Sequence, residues 1–124
     1  MIESSTEPED PYVTIQTSVI PEVSEVRIYE STIQHVIDHH PEIGRNIHLP
    51  VFRAAVHSTL ENPTSVEPSH NNSFVFVDEN TTDVRGQPLR VPVRVVTGTS
   101  ARMKTAYFAS RSVPIVPIFP RGSD

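Results

Sequence analysis

His35 and His39 stand four residues apart and His40 follows directly, in the run His35-Val36-Ile37-Asp38-His39-His40-Pro41-Glu42. Residues i and i+4 share one face of a helix, so the His35 and His39 imidazoles can converge. His40 points about 100° away and falls at the C-terminal end of that helix, where the dipole favours positive charge. Imidazoles in different environments can divide acid and base roles near neutral pH. The His-x-x-x-His spacing also suits zinc, with His57, His48 or Asp38 as a third ligand. A polar helix end carrying surface histidines is the plain alternative. A second group is Lys104-Thr105-Ala106-Tyr107-Phe108, preceded by Arg90 and Arg94. If these segments pair as strands, cations and hydroxyls cluster across neighbouring strands. Arg and Lys hold phosphate and stabilise the charge that develops in phosphoryl transfer. Thr and Tyr hydroxyls orient phosphate oxygens, and a Tyr ring stacks on a base. Alternation places Thr105 and Tyr107 on one strand face and Lys104 on the other. Tyr and Thr are also ordinary strand residues, which is the competing explanation for this group.

The elements that must position these residues can be read from periodicity. Val23 to Tyr29 reads as a short strand. Ser31 is a suitable N-cap, after which Ile33, Val36 and Ile37 fall on one helical face, and Pro41 and Gly44 stop the helix. A second helix is predicted from about Leu49 to Leu60, with Pro50 in its first turn and an apolar stripe of Val51, Phe52, Ala55, Val56 and Leu60. Ser65 to Pro68 and Phe74 to Val77 read as short strands, and Asp78 to Pro88 as a polar loop. Leu89, Val91, Val93 and Val95 alternate with Arg90, Pro92 and Arg94, the period of a half-buried strand. Pro92 suggests an edge position or a bulge. Gly98-Thr99-Ser100 can close a hairpin into a last strand from Arg102 to Ala109. Helices followed by consecutive strands predict an α+β fold, with N-terminal helices packed on an antiparallel sheet of about four strands.

Composition bounds the function. The chain has 124 residues, enough for one domain. Twelve prolines and a hydrophobic content of 36% suggest that part of it lies outside the core. Residues 1–20 read as an acidic tail, 21–112 as the folded domain and 113–124 as a proline-rich extension. Cys is absent, which excludes disulfide scaffolds, thiolate metal sites and thiol catalysis. No run approaches the ~18 apolar residues of a membrane span, and the acidic start is the reverse of a signal peptide. The formal charge of −5 excludes a uniformly basic nucleic-acid binder. That charge is uneven, however. Residues 1–30 hold seven acids and only Arg27, whereas 85–121 hold seven bases and no acid. Such asymmetry points to a polyanionic partner for the basic segment. A set of solvated strand-face cations is the plain alternative, and folding back of the acidic segment 1–30 to shield the basic strands is a further hypothesis.

The histidine run, the helix end Thr59-Leu60-Glu61-Asn62-Pro63 and the strand end Lys104-Thr105-Ala106-Tyr107 together resemble the phage-associated nuclease-like branch of the barnase–EndoU–colicin–RelE superfamily. The resemblance covers about 26–110. Val36 stands where that branch usually has Ile, and His39 where it usually has Arg. Arg forks onto phosphate with a permanent charge, and imidazole does neither reliably. The resemblance implies a metal-independent endoribonuclease with no cofactor, toxin-like or phage-associated. A base would activate the ribose 2′-OH to attack phosphorus, an acid would protonate the leaving 5′-oxygen, and a 2′,3′-cyclic phosphate would result. His35 and His40 match the motif histidines, and Thr105 and Tyr107 the final-strand positions; these four would be catalytic. Arg94, Lys104 and His39 would bind phosphate or RNA, tRNA included. An inhibitory or immunity protein is a further implied partner. The implied compartment is the cytoplasm, or a target cytoplasm reached within a toxin or phage particle. A catalytically degenerate nuclease-fold binding module in virion assembly or protein contacts, and a His-ligated zinc protein, are the competing readings.

Overall fold

The computed structural model describes residues 10–40, 49–110 and 115–120. Chain order is β1 (Tyr12–Ile20), β2 (Val23–Tyr29), α1 (Glu30–His39), α2 (Leu49–Glu61), β3 (Ser65–Pro68), β4 (Ser73–Thr82), β5 (Pro88–Thr97), β6 (Ser100–Met103) and β7 (Tyr107–Phe108). One seven-stranded sheet runs β1-β2-β6-β5-β4-β3, with β7 also paired to β5. All pairings are antiparallel except β2 with β6, which are parallel.

This corrects the expected architecture. The helices are not N-terminal, because a hairpin precedes them, and the sheet is mixed and larger than four strands. Residues 12–20, expected in the acidic tail, are instead the nine-residue β1. Its Tyr-Val-Thr-Ile-Gln-Thr-Ser-Val-Ile is dense in β-branched residues, which suit a pleated surface, and Ile15, Thr17 and Ile20 are buried. Helix α1 starts one residue before Ser31, and Tyr29 at the N-cap gives no side-chain cap. The cap comes from the residues ahead of β1: Asp10 accepts hydrogen bonds from the Ser31 N–H at 3.1 Å and the Ser31 hydroxyl at 2.5 Å. A carboxylate there satisfies orphan amides and meets the positive end of the helix dipole. The proposed stops Pro41 and Gly44 lie outside the described residues.

Helix α2 touches β1, β4 and β5. Strand β1 is far from β4 and β5 in the sheet order, so the sheet curls around the helix as a half-barrel. Phe52, Val56 and Leu60 of α2 are fully buried there with Val26, Phe76, Leu89, Val91 and Val93. The free side of β3 is met by the end of the chain: Val66 bridges Phe119, and Ile118 and Phe119 pack on the core. Part of the proline-rich extension therefore belongs to the folded unit. Strand β4 is longer than predicted because the polar stretch after Val77 stays in the ladder past a register shift between Asp78 and Thr82. Buried Asp78 satisfies that irregularity, accepting from the Asn80 N–H and the Thr81 hydroxyl. Pro92 is on a central strand, at the point where β5 changes partner from β6 to β7. From Val93↔Met103 to Arg90↔Tyr107, β5 moves three residues and its partner four, the signature of a bulge.

Arg90 and Glu67 form an ion pair across β4. The two guanidinium nitrogens donate to the two carboxylate oxygens at 3.1 and 3.3 Å, with side-chain exposures of 7% and 3%. Arg90 Nε also donates to the Ala109 carbonyl at 3.0 Å. Removing one partner strands the other charge in the interior, at a cost of about 3–5 kcal/mol. Glu67→Gln is therefore expected to destabilise severely in urea denaturation, and the double substitution Glu67→Leu with Arg90→Met to recover most of the loss. By contrast, Arg53 and Glu30 join α2 to α1 at the surface through paired hydrogen bonds of 2.5 and 2.7 Å. The bond to Arg53 holds the Glu30 carboxyl below its ordinary range. A lowered carboxyl stabilises the fold at neutral pH and stops doing so as pH falls through the lowered value. With side chains 36% and 47% exposed, screening keeps the effect to about 0.2–1 kcal/mol. Arg53→Met should show that deficit at pH 7, and the deficit should vanish in strongly acid buffer.

Candidate functional site

Helix α1 follows β2 directly, and β2 runs parallel to β6. The helix therefore continues alongside the β6–β7 segment, and its C-terminal end arrives at β7. The His40 and Tyr107 rings lie 6.4 Å apart, centroid to centroid. Tyr107 stands beside Arg90 in the β5–β7 register, and Glu67 neutralises the Arg90 charge. Both His40 and Tyr107 are half-buried. An imidazole and a phenol from distant parts of the chain are thereby brought beside one another.

The remaining predicted residues distribute around this pair. His35 and His39 are exposed and their rings stack at 4.0 Å. His39 Nδ1 lies 3.0 Å from the His35 carbonyl oxygen. Helical i,i+4 spacing thus does bring these imidazoles together, but with each other. Lys104 and Thr105 occupy the bulge between β6 and β7. Lys104 is exposed, its backbone N–H donating to the Pro92 carbonyl at 2.8 Å, and Thr105 is half-buried. The bulge also ends the simple alternation expected along a single strand from Arg102 to Ala109. Arg94 lies elsewhere: it is four residues along β5 from Arg90, a distance of ~13 Å. For the zinc alternative, no three His, Asp or Glu side chains converge among the described residues; the candidate ligand His48 is outside them.

Arg94 belongs instead to a row that the sequence does not reveal. Across four strand pairs the register runs Thr14↔Arg27, Arg27↔Arg102, Arg102↔Arg94 and Arg94↔Ser73. Three arginines therefore sit side by side on β2, β6 and β5. Their neighbours Val26, Ala101, Met103 and Val93 are buried, so the arginines occupy the sheet face turned away from the core. Arg94 and Arg102 are exposed and Arg27 is half-buried. The Arg27 guanidinium lies 4.8 Å from the centre of the Tyr12 ring, and Tyr12 and Tyr29 pack at 5.1 Å. Hydrogen bonding to Tyr29 and the nearby Tyr12 push the Arg27 pKa above its ordinary value. A groove of about 400 Å³ also opens at the far end of β5, with Phe74, Val95 and Val96 lining it and Glu22, Asn72 and Thr99 at its rim. None of the predicted site residues contributes to it.

Comparison with models of known protein families, with curated proteins and with solved structures gives no match. No helix among the described residues is long and apolar enough to cross a membrane.

The geometry can be checked by NMR. Tyr107→Leu should shift the His40 ring-proton resonances and leave those of His35 in place, whereas His35→Ala should shift His39. Unmoved His40 signals would show that helix end and β7 do not meet in solution.

Proposed function

We propose that this chain acts on RNA, cleaving it without a metal at the meeting point of α1 and β7. The observation that supports this reading is the convergence of His40 and Tyr107, which are 67 positions apart in the chain, at 6.4 Å. They come from the two segments that carry the nuclease-like motifs. In the proposed reaction a base removes the ribose 2′-OH proton, and that oxygen attacks the adjacent phosphorus. The bond to the 5′-oxygen breaks, an acid protonates the leaving oxygen, and a 2′,3′-cyclic phosphate remains. His40 serves as one of the two proton-transfer groups, with His35 as the candidate for the other. Tyr107 and Thr105 hydroxyls hold the phosphate oxygens, and the exposed Lys104 supplies charge beside them.

One observation favours a second reading, an RNA-binding module without turnover. His35 stacks on His39, so the second proton-transfer group is not seen facing Tyr107. Incubating the chain with total RNA or tRNA in EDTA separates the two. Cleavage should leave cyclic-phosphate ends, with His40→Ala lowering the rate about 10²–10⁴-fold, the range for a general acid or base, and Tyr107→Phe lowering it less. Rates unchanged by His40→Ala would exclude this site. Intact RNA bound by the wild-type chain would favour the second reading.

A further inference from the structure

We infer that the outer face of the sheet is a separate binding surface for single-stranded nucleic acid, with Arg27, Arg102 and Arg94 taking successive backbone phosphates and Tyr12 offering a stacking platform. This inference shares RNA as the ligand with the reading above, but it uses none of the cleavage residues. Like charges placed directly opposite on paired strands destabilise a sheet, and here three stand in one register row. Two interstrand steps of ~4.8 Å spread them over about 10 Å. Among the described residues no carboxylate makes an ion pair with any of them; the described ion pairs are Arg53–Glu30 and Arg90–Glu67. Glu25, the acid nearest in register, takes a hydrogen bond from the Ser100 hydroxyl at 2.9 Å. Arg27 Nε is buried with no acceptor. Glu25 and Tyr29 offset part of the Arg27 charge, but Arg94 and Arg102 carry charge with no ion-pair partner among the described residues, and the buried Arg27 Nε is an unused donor; an anion can satisfy both.

The aromatic pair chooses among anions. Tyr12 is 47% exposed and lies at the Arg27 end of the row, stacked near the guanidinium. Cationic grooves that track the backbone, flanked by aromatic rings on which bases stack, are how proteins hold single strands. An acidic peptide would use the charge and leave the ring idle.

The test uses the full chain and a fluorescent 2′-O-methyl uridine dodecamer, which has no free 2′-OH and so cannot be cleaved by the proposed reaction. Binding is followed by anisotropy over a range of salt. Replacing Arg94 and Arg102 together by Gln should weaken binding about tenfold or more, and flatten the log K against log [salt] slope by about 1.4, two phosphates at ~0.7 each for single strands. Arg85→Gln, which removes one positive charge in the loop after β4, should change little, whereas Arg94→Gln or Arg102→Gln alone should each weaken binding and flatten the slope by about 0.7. Tyr12→Ala should weaken binding with the slope unchanged. The Gln variant should melt no lower than the wild-type chain, since repulsion has been removed. Unaltered affinity in the Gln variant, or no binding by the wild-type chain at low salt, overturns the inference. So does displacement of the dodecamer by poly-glutamate as readily as by unlabelled RNA, which would assign the face to an acidic protein. Binding that persists while natural RNA stays intact would overturn the cleavage reading and leave this one standing.

Discussion

The buried pair of Arg90 and Glu67 fixes the part of the sheet on which the candidate site stands. It is bidentate, spans β3 to β5 over β4, and leaves Arg90 Nε for the Ala109 carbonyl. Strand side chains alternate in period two, so a slip of one residue in β5 would turn Arg90 into the apolar core and Leu89 and Val91 out of it. A charge without its partner is intolerable at that depth. The pair therefore selects one register for three strands at once. Through Ala109 it also fastens the chain just after β7, which sets Tyr107 opposite Arg90.

The helices answer to the same frame. Helix α2 fills the curl of the sheet, and its contacts with β1 on one side and β4 and β5 on the other hold the half-barrel closed around it. Helix α1 is launched by β2, capped by Asp10 from beyond the start of β1 and tied to α2 by Glu30 and Arg53. These constraints carry its histidine-bearing end to β7. Residues 10–29 are thus structural despite the acids among them: they supply a cap, an edge strand and a strand that bears Arg27.

The two faces of the sheet divide the labour. Apolar residues of β2, β4, β5 and β6 close on the helices, and alternate residues of β2, β5 and β6 place arginine on the opposite face. Charge that looks scattered in the chain is gathered by pairing. Arg27, the single base among seven acids, becomes the neighbour of Arg102, 75 residues later, because β2 and β6 pair in parallel.

Local pattern sufficed for α2, for β2, β3 and β5, and for the hairpin at Gly98, because each depends on a nearby periodicity or turn residue. The His35–His39 contact was legible for the same reason, as helical spacing alone dictates it. Strand β1 has a strand-like composition, but acidic residues and prolines before it drew the boundary in the wrong place. The break at 104–106 could not be read from alternation, since a bulge is defined by the opposite strand. By itself the sequence determined which residues are apolar, charged or nucleophilic and which turn into local helices and strands. Only the tertiary structure decided the mixed sheet, the meeting of His40 with Tyr107, the separation of Arg94 from them and the arginine row. Each of these depends on strand order and register, which long-range burial sets and no local spacing encodes.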